Sequence, residues 1–246
     1  MANRRYWNEV YYPQPTETQL KKNASETAKK AKKKGQTLNP VVITGRKIAK
    51  SWWGQAWCAN LERYADFQTR LPRGQRYVKT GAVVDLKIEK GKLAARVQGS
   101  RKTPYKVEVR VSPLSEERCQ EIISRCTERV DTLENLLSGS FPKSLKEVFL
   151  GAGGLFPTPR EISFSCSCPD WALMCKHIAA VLYGVGARLD DDPMMFFSLR
   201  GIDTEKFVET VISSRLDTML KNADKPSERI LTGSGWETLF GVIEEG

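Results

Sequence analysis

The chain of 246 residues is 40% apolar and carries a formal net charge of +10 at neutral pH. This apolar content is enough for a hydrophobic core, so a bound metal is not needed as the only source of stability. No stretch approaches the roughly 20 consecutive apolar residues that span a bilayer, and the N-terminus lacks the apolar segment of a signal peptide. These features predict a soluble cytoplasmic protein whose six cysteines stay reduced.

The positive charge is concentrated in the first half of the chain. Residues 1–50 hold 12 Lys and Arg against 3 acids, residues 51–112 hold 13 against 5, and residues 113–246 carry a net charge of −7. A basic surface of this extent attracts polyanions by releasing counterions from phosphates, and nucleic acid is the usual partner. The alternative is a solubilising basic tail, but the excess continues into sequence that predicts ordered structure, which favours nucleic acid.

The predicted fold class is α+β, and the elements divide the chain into four parts. Residues 1–40 are interpreted as an extended segment and a mobile Lys-rich basic arm, because KKNASETAKKAKKKG shows no apolar face. Residues 41–150 predict a domain with an N-capped helix, a three-stranded antiparallel meander and a long helix. Residues 151–203 are predicted to form a small finger, and residues 204–246 are predicted to form an amphipathic helix followed by a tail peptide.

The second part contains a predicted helix cap and a predicted turn. Ser51 is expected to cap a helix that runs to about Phe67, and the sequence PRG at 72–74 predicts a turn before the meander. The loops and outer face of the meander carry basic residues that are candidate phosphate contacts, together with lysines of the arm. These candidate nucleic-acid-binding residues are Lys29, Lys30, Lys32, Lys33, Lys34, Arg96, Arg101, Lys102, Lys106 and Arg110. An ordinary solvated polar face is the alternative.

A candidate metal site follows the long helix. Cys166 and Cys168 are separated by one residue, so both side chains point to one face of a strand. Cys175 follows after six intervening residues and precedes His177 by two positions, at the expected start of a helix. A Cys₃His set has the composition of a closed tetrahedral zinc site. One structural zinc ion is therefore the predicted cofactor.

Two other interpretations account for this cluster less completely than a zinc site does. Buried structural thiols would leave the only histidine of the chain unexplained. A Cys–His nucleophile pair would need a third residue to orient the imidazole, and no neighbour is an evident candidate. Because protein ligands fill all four positions, no site remains for an activated water, and the protein is predicted not to be an enzyme.

The pattern Cys-x-Cys-x₆-Cys-x-His, followed by the apolar sequence IAAVLYGVGARL, resembles the SWIM zinc finger. The resemblance implies a short β-hairpin and a helix around one zinc, with Cys166, Cys168, Cys175 and His177 as ligands. It also implies that Trp171, inside the spacer, covers the metal site.

The wider chain is similar to bacterial SWIM proteins found with Swi/Snf-type helicase-like ATPases, on the basis of RYVKTGAVVDLKIEKGKLAARVQGSRKTPYKVEVRV and DDPMMFFSLRGID. That resemblance implies DNA binding and contact with a protein partner. Three thiolates around Zn²⁺ give the metal site a net charge near −1, and this site lies in the acidic half of the chain. The arm and the meander are therefore favoured over the finger as the phosphate-binding surface.

Aromatic residues offer two further candidates. Trp52, Trp53 and Trp57 have helical spacing, which favours core packing over base stacking. At the C-terminus Trp236, Leu239 and Phe240 share one helical side and either engage a partner groove or dock on their own domain.

The leading hypothesis is a non-catalytic accessory protein that binds nucleic acid, with DNA favoured, and a helicase-like ATPase. A protein–protein adaptor without nucleic-acid binding is the alternative. A nuclease or recombinase subunit completed by a partner remains a third hypothesis.

Overall fold

A computed structural model of the protein describes residues 14–129, 142–151 and 153–223. They form an α+β fold, as the sequence predicts. The helices are α1 (Glu17–Lys33), α2 (Trp52–Glu62), α3 (Arg70–Lys79), α4 (Glu116–Arg129), α5 (Lys146–Leu150), α6 (Lys176–Asp191), α7 (Met195–Leu199) and α8 (Thr204–Ala223). The strands are β1 (Val83–Glu89), β2 (Lys92–Val97), β3 (Tyr105–Val111) and β4 (Ile162–Cys166), and a 3₁₀ turn (Lys143–Leu145) precedes α5. None of the described helices is both long and apolar enough to cross a membrane.

The four strands form one antiparallel sheet in the order β1-β2-β3-β4. The first three are the predicted meander, and alternation of buried and exposed residues along β3 gives the sheet one apolar face. The fourth strand comes from the finger and pairs with β3, with Val107 opposite Cys166 and Val109 opposite Phe164. The predicted hairpin within the finger is therefore wrong for the described residues. The backbone groups of β4 are satisfied by β3 instead, so the finger and the meander share one sheet.

Helix α6 lies at the centre of the molecule. Most of its residues are buried, and it contacts α2, α3 and the apolar face of the sheet. Small residues allow the close approach of the neighbouring helices. A Cβ at Gly74 of α3 would lie 2.6 Å from the Cβ of Ala179, and one at Gly54 of α2 would lie 2.7 Å from the carbonyl oxygen of Gly186. Such contacts are shorter than van der Waals packing permits, so these crossings require glycine.

Helix α2 confirms the predicted cap, but α3 corrects the predicted turn. The Ser51 hydroxyl accepts a hydrogen bond from the N–H of Gly54 at 3.0 Å. Residues 72–74 lie inside α3 rather than in a turn. Pro72 is tolerated there because the first turn of a helix needs no N–H donor, and Gly74 faces α6.

Helix α1 corrects the interpretation of its segment as a mobile basic arm. Thr16 and Gln19 form a capping box, and Leu20, Ala24 and Ala31 are buried. Two small residues and one leucine are a narrow apolar stripe, which explains why the pattern of hydrophobic residues did not reveal it. The first 13 residues, the predicted continuation of the long helix beyond Arg129, and the tail peptide lie outside the described residues.

Candidate metal centre

The four predicted ligands are brought together by the end of one strand and the start of one helix. Cys166 is the last residue of β4, and Cys168 follows after one residue. Cys175 is the N-cap residue of α6, and His177 lies in its first turn. Exposed N–H groups of a helix start and its positive dipole end favour thiolates at this position.

The donor atoms have the spacing of a single metal site. The ligand atoms of the four residues all lie within 4.8 Å of one another. Nδ1 of His177 lies 3.8 Å from the Sγ of Cys166 and 3.9 Å from that of Cys175. Tetrahedral zinc with its usual bond lengths places such atoms roughly 3.6 Å apart. The donor set and its spacing therefore fit one zinc ion bound by three sulfurs and Nδ1.

The electrostatics of the cluster favour a bound cation. Hydrogen bonds that Cys166 donates to Cys168 and Cys175 raise the pKa of Cys166, while hydrogen bonds that Cys168 accepts from Cys166 and Cys175 lower the pKa of Cys168. The three sulfurs are close enough to share protons, and a bound cation would stabilise all three as thiolates. Burial lowers the pKa of His177, which keeps the imidazole in the neutral form that binds metals.

Aromatic rings enclose the histidine. The ring of Tyr105 stacks on His177 with centroids 4.1 Å apart, and Tyr77 meets it edge-on at 5.4 Å. A Cβ at Gly99 would lie 2.7 Å from the Tyr105 ring, so this glycine leaves the space that the stack needs. The Nε2 atom of His177 is buried and makes no hydrogen bond to any described residue. The ring is held by packing, with Nδ1 directed at the thiols.

The spacer between the two ligand pairs is held from α3 and the segment before it. The Asp66 carboxylate accepts hydrogen bonds from the N–H groups of Leu173 and Met174, at 2.7 and 3.1 Å. Asp170 forms an ion pair with Arg70, at 3.1 Å. Sequence reasoning missed both anchors, because each joins residues about one hundred positions apart in the chain.

Trp171 does not cover the metal site, which corrects the role that the resemblance implied. Its side chain is 81% exposed and contacts the edge of Phe67, with ring centroids 5.1 Å apart. Leu173 is 72% exposed in the same spacer. Tyr105 and Tyr77 cover the histidine of the metal site instead, and the spacer exposes Trp171 and Leu173 while Ala172 and Met174 are buried.

The structure separates the candidate phosphate contacts into two groups. The lysines of α1 and Lys34 are exposed, as are Arg101, Lys102 and Lys106. By contrast Arg96 pairs with Asp85 at 3.0 Å, and Arg110 pairs with Glu108 at 2.7 Å. Their charges are partly neutralised within the sheet.

The core interpretation of the N-terminal tryptophans is confirmed. Trp57 is fully buried, and its indole N–H donates to the carbonyl of Leu182. Trp52 and Trp53 pack against the core, edge-on to each other. The three C-terminal candidates Trp236, Leu239 and Phe240 lie outside the described residues.

Comparison with known proteins places this metal centre in a family. Residues 148–185 match the family model of the SWIM zinc finger. The chain therefore contains a SWIM zinc finger with a cluster suited to one zinc ion. It is 35% identical over 179 residues to the uncharacterized protein Rv2102 of Mycobacterium tuberculosis (strain ATCC 25618 / H37Rv). That alignment covers 72% of this chain and 64% of the length of the relative. No solved structure matches the chain.

Proposed function

We propose that the protein is a non-catalytic zinc-finger accessory protein that binds nucleic acid, in the first place DNA, and works with a Swi/Snf-type helicase-like ATPase. The observation that carries the nucleic-acid part is the docking of α1. This helix fixes an array of lysines on the folded body, whereas a flexible tail would hold them only in an average position.

The docking is specific at two points. The Asn23 side chain donates to the carbonyl of Gly99 at 3.0 Å, and the Thr27 hydroxyl donates to the side-chain oxygen of Gln98 at 2.8 Å. Both acceptors begin the β2–β3 loop, which carries Arg101 and Lys102. The basic helix and the basic loop therefore form one continuous surface, which we call the α1–loop surface.

This surface is close to the metal centre. The guanidinium of Arg101 lies over the ring of Tyr105, 5.2 Å from its centroid, and the same ring stacks on His177. Through this stack the finger contacts the β2–β3 loop, and the loop carries the cations Arg101 and Lys102. Such contacts give affinity for phosphates without sequence specificity.

Binding measured across salt tests this proposal. With the zinc-loaded protein and a labelled DNA, we expect micromolar affinity near physiological salt and a steep loss as salt rises. Replacing Lys29, Lys30 and Lys33 by Gln should reduce the slope of log K against log salt by up to about 3.

A matched variant controls for net charge. Lys143, Lys146 and Lys206 are exposed lysines outside the α1–loop surface, and their replacement by Gln removes the same charge. This control should leave the salt slope nearly unchanged. No binding to DNA or RNA at about 50 mM salt would overturn the nucleic-acid proposal.

The adaptor function is supported by a different part of the molecule. Leu216, Met219 and Leu220 lie on one side of α8 and are 54%, 68% and 70% exposed. An exposed apolar stripe of this kind suits a protein partner. Recovery of the same partner after nuclease treatment, by a variant with the α1 lysines replaced, would favour the adaptor over the nucleic-acid function.

A further inference from the structure

The exposed ring of Trp171 lies at one end of a row of arginines. Helix α3 contains Arg70, Arg73, Arg76 and Lys79 and no acidic residue. The three arginines follow at intervals of three residues, so they lie along one side of the helix over about 9 Å. We call these three residues the arginine row.

The contacts of Trp171 fix where it stands relative to this row. Its ring meets Phe67, whose carbonyl accepts a hydrogen bond from the N–H of Arg70. The preceding residue, Asp170, pairs with the Arg70 side chain. Trp171 is therefore positioned at the N-terminal end of α3, where the arginine row begins.

The other two arginines carry uncompensated charge. Neither Arg73 nor Arg76 forms an ion pair with a described residue, and two nitrogens of the Arg76 guanidinium are buried without an acceptor in the described part of the chain. Arg76 is followed directly by Tyr77, whose ring meets His177 edge-on with centroids 5.4 Å apart. The arginine row therefore ends at the flank of the metal centre.

The nearby acids offset only part of this charge. Asp170 pairs with Arg70, and Asp66 keeps its negative charge while it accepts hydrogen bonds from two backbone N–H groups of the spacer, so the four cations of α3 remain in excess of these two carboxylates. The surface combines an exposed aromatic face with an adjacent row of cations. A polyanion with accessible aromatic faces matches both features, and a single-stranded nucleic acid has them. In a duplex the base faces are stacked on one another and cannot reach the ring.

We propose that the finger spacer and α3 form a single-strand binding site, in which a base stacks on Trp171 and the backbone passes along Arg73 and Arg76. This inference rests on the proposed nucleic-acid function and names the strandedness of its ligand. It also gives the finger a direct contact through its spacer, while the metal centre stays buried.

Anisotropy measurements with two labelled probes test the site on the full-length, zinc-loaded protein. The probes are an oligothymidylate of about 20 nucleotides and a duplex of the same length, at about 50 mM salt. Trp171→Ala should weaken binding to the oligothymidylate by about tenfold and change binding to the duplex less than about twofold. Trp171→Phe, which keeps an aromatic face, should retain most of the affinity.

Leu173→Ala is the matched control, since it removes an equally exposed apolar side chain from the same spacer. It should change the affinity for the oligothymidylate less than about twofold. Arg73→Ala should weaken binding to the single strand and lower its salt slope by about 1. Because a stacked thymine quenches indole fluorescence, the quenching on binding should be larger in the parent than in Trp171→Phe.

The outcomes separate this inference from the function on which it rests. If the unaltered protein binds neither probe, the nucleic-acid function is overturned. If it binds both and Trp171→Ala changes neither affinity, only the single-strand site is overturned. The same holds if the variant loses single strand and duplex equally. Loss of a protein partner with unchanged oligothymidylate affinity would assign the ring to a protein contact and contradict the site.

Discussion

The finger segment from Cys166 to His177 has two regions with opposite surroundings. Its ends hold the ligands, with Cys175 fully buried and His177 1% exposed, and they belong to the sheet and to the central helix. Its middle holds Trp171 and Leu173, which are 81% and 72% exposed. The ends therefore govern the stability of the whole fold, while the middle is free to contact a ligand.

The largest expected effect comes from removing a ligand. Cys175→Ser should abolish stoichiometric zinc binding and lower the free energy of unfolding by at least about 3 kcal/mol, because metal binding contributes directly to folding. Since α6 packs on α2 and the sheet, the loss should spread beyond the finger. Denaturation followed by far-UV circular dichroism and by tryptophan fluorescence, which includes Trp57 on α2, should give one shared and lowered midpoint.

Two results would contradict this expectation. The variant could retain a full equivalent of zinc by metal analysis, which would make the ligand assignment wrong. Alternatively, the fluorescence transition could stay unchanged while the ellipticity fell, which would show that the finger unfolds alone. Chelation of zinc from the parent protein should reproduce the effect of the substitution.

The ends of the segment were more predictable from sequence than their surroundings. The ligand set depends on local spacing, and the strands on local alternation such as Val107, Val109 and Val111, so both can be predicted from the sequence. The pairing of β4 with β3 joins residues more than fifty positions apart and has no local pattern. The docking of α1 likewise depends on Gln98 and Gly99, which lie more than seventy positions away from their partners in the helix.

Helix α3 shows why a strong local pattern can mislead. Pro72 followed two residues later by Gly74 is typical of a turn, and only the contact with Ala179 explains the glycine in a helix. A turn at this point would separate Arg70 from Arg76, so the local pattern does not predict that the arginines share one helix. The sequence also does not predict that Trp171 is exposed. Tyr77 and Tyr105 cover His177 in its place, and both come from elements that are distant in the chain.

The second largest effect is expected where α3 crosses α6, close to the ligands at the start of α6. In an open helix Gly→Ala stabilises by about 1 kcal/mol. At Gly74 the added carbon would lie 2.6 Å from the Cβ of Ala179, and such overpacking costs about 1–3 kcal/mol. We expect Gly74→Ala to lower the urea midpoint. Lys79→Ala, exposed on the same helix, is the control and should shift stability by less than about 0.5 kcal/mol. A higher midpoint for Gly74→Ala would show that the helices separate easily.

The third effect concerns the anchor of the spacer. Burial raises the pKa of Asp66, but hydrogen bonds from the N–H groups of Met174 and Leu173 outweigh it and lower the pKa below its ordinary value. A carboxylate with a lowered pKa contributes stability at neutral pH, and this contribution is lost as the pH falls through the lowered pKa. Asp66→Asn should cost about 1 kcal/mol at pH near 7.

The difference in unfolding free energy between parent and Asp66→Asn should shrink on acidification. Comparing the two proteins at each pH removes the effect of acid on the metal site, which both share. A difference that stayed constant across the acid range would mean that the Asp66 charge does not hold the spacer.

The smallest effect is expected at the exposed middle. Trp171→Ala should change the free energy of unfolding by less than about 0.5 kcal/mol and leave zinc content unchanged, since Trp171 is 81% exposed and its ring meets that of Phe67 edge-on. Trp57→Ala, the buried counterpart, should cost about 3–5 kcal/mol. A large loss of stability in Trp171→Ala would remove the contrast between the two regions of the segment.

The position of β4 in the sheet predicts how the protein aggregates when the metal is removed. Cys166 ends β4 and is itself a ligand, so loss of the ion releases the strand that covers the edge of β3. The uncovered strand, YKVEVRV, presents unpaired backbone groups beside a valine at every second position. An open edge of this kind is a template for pairing with another chain. Chelated protein is therefore expected to form β-rich aggregates within its single, lowered unfolding transition, and bound zinc would suppress this aggregation by holding β4 on β3.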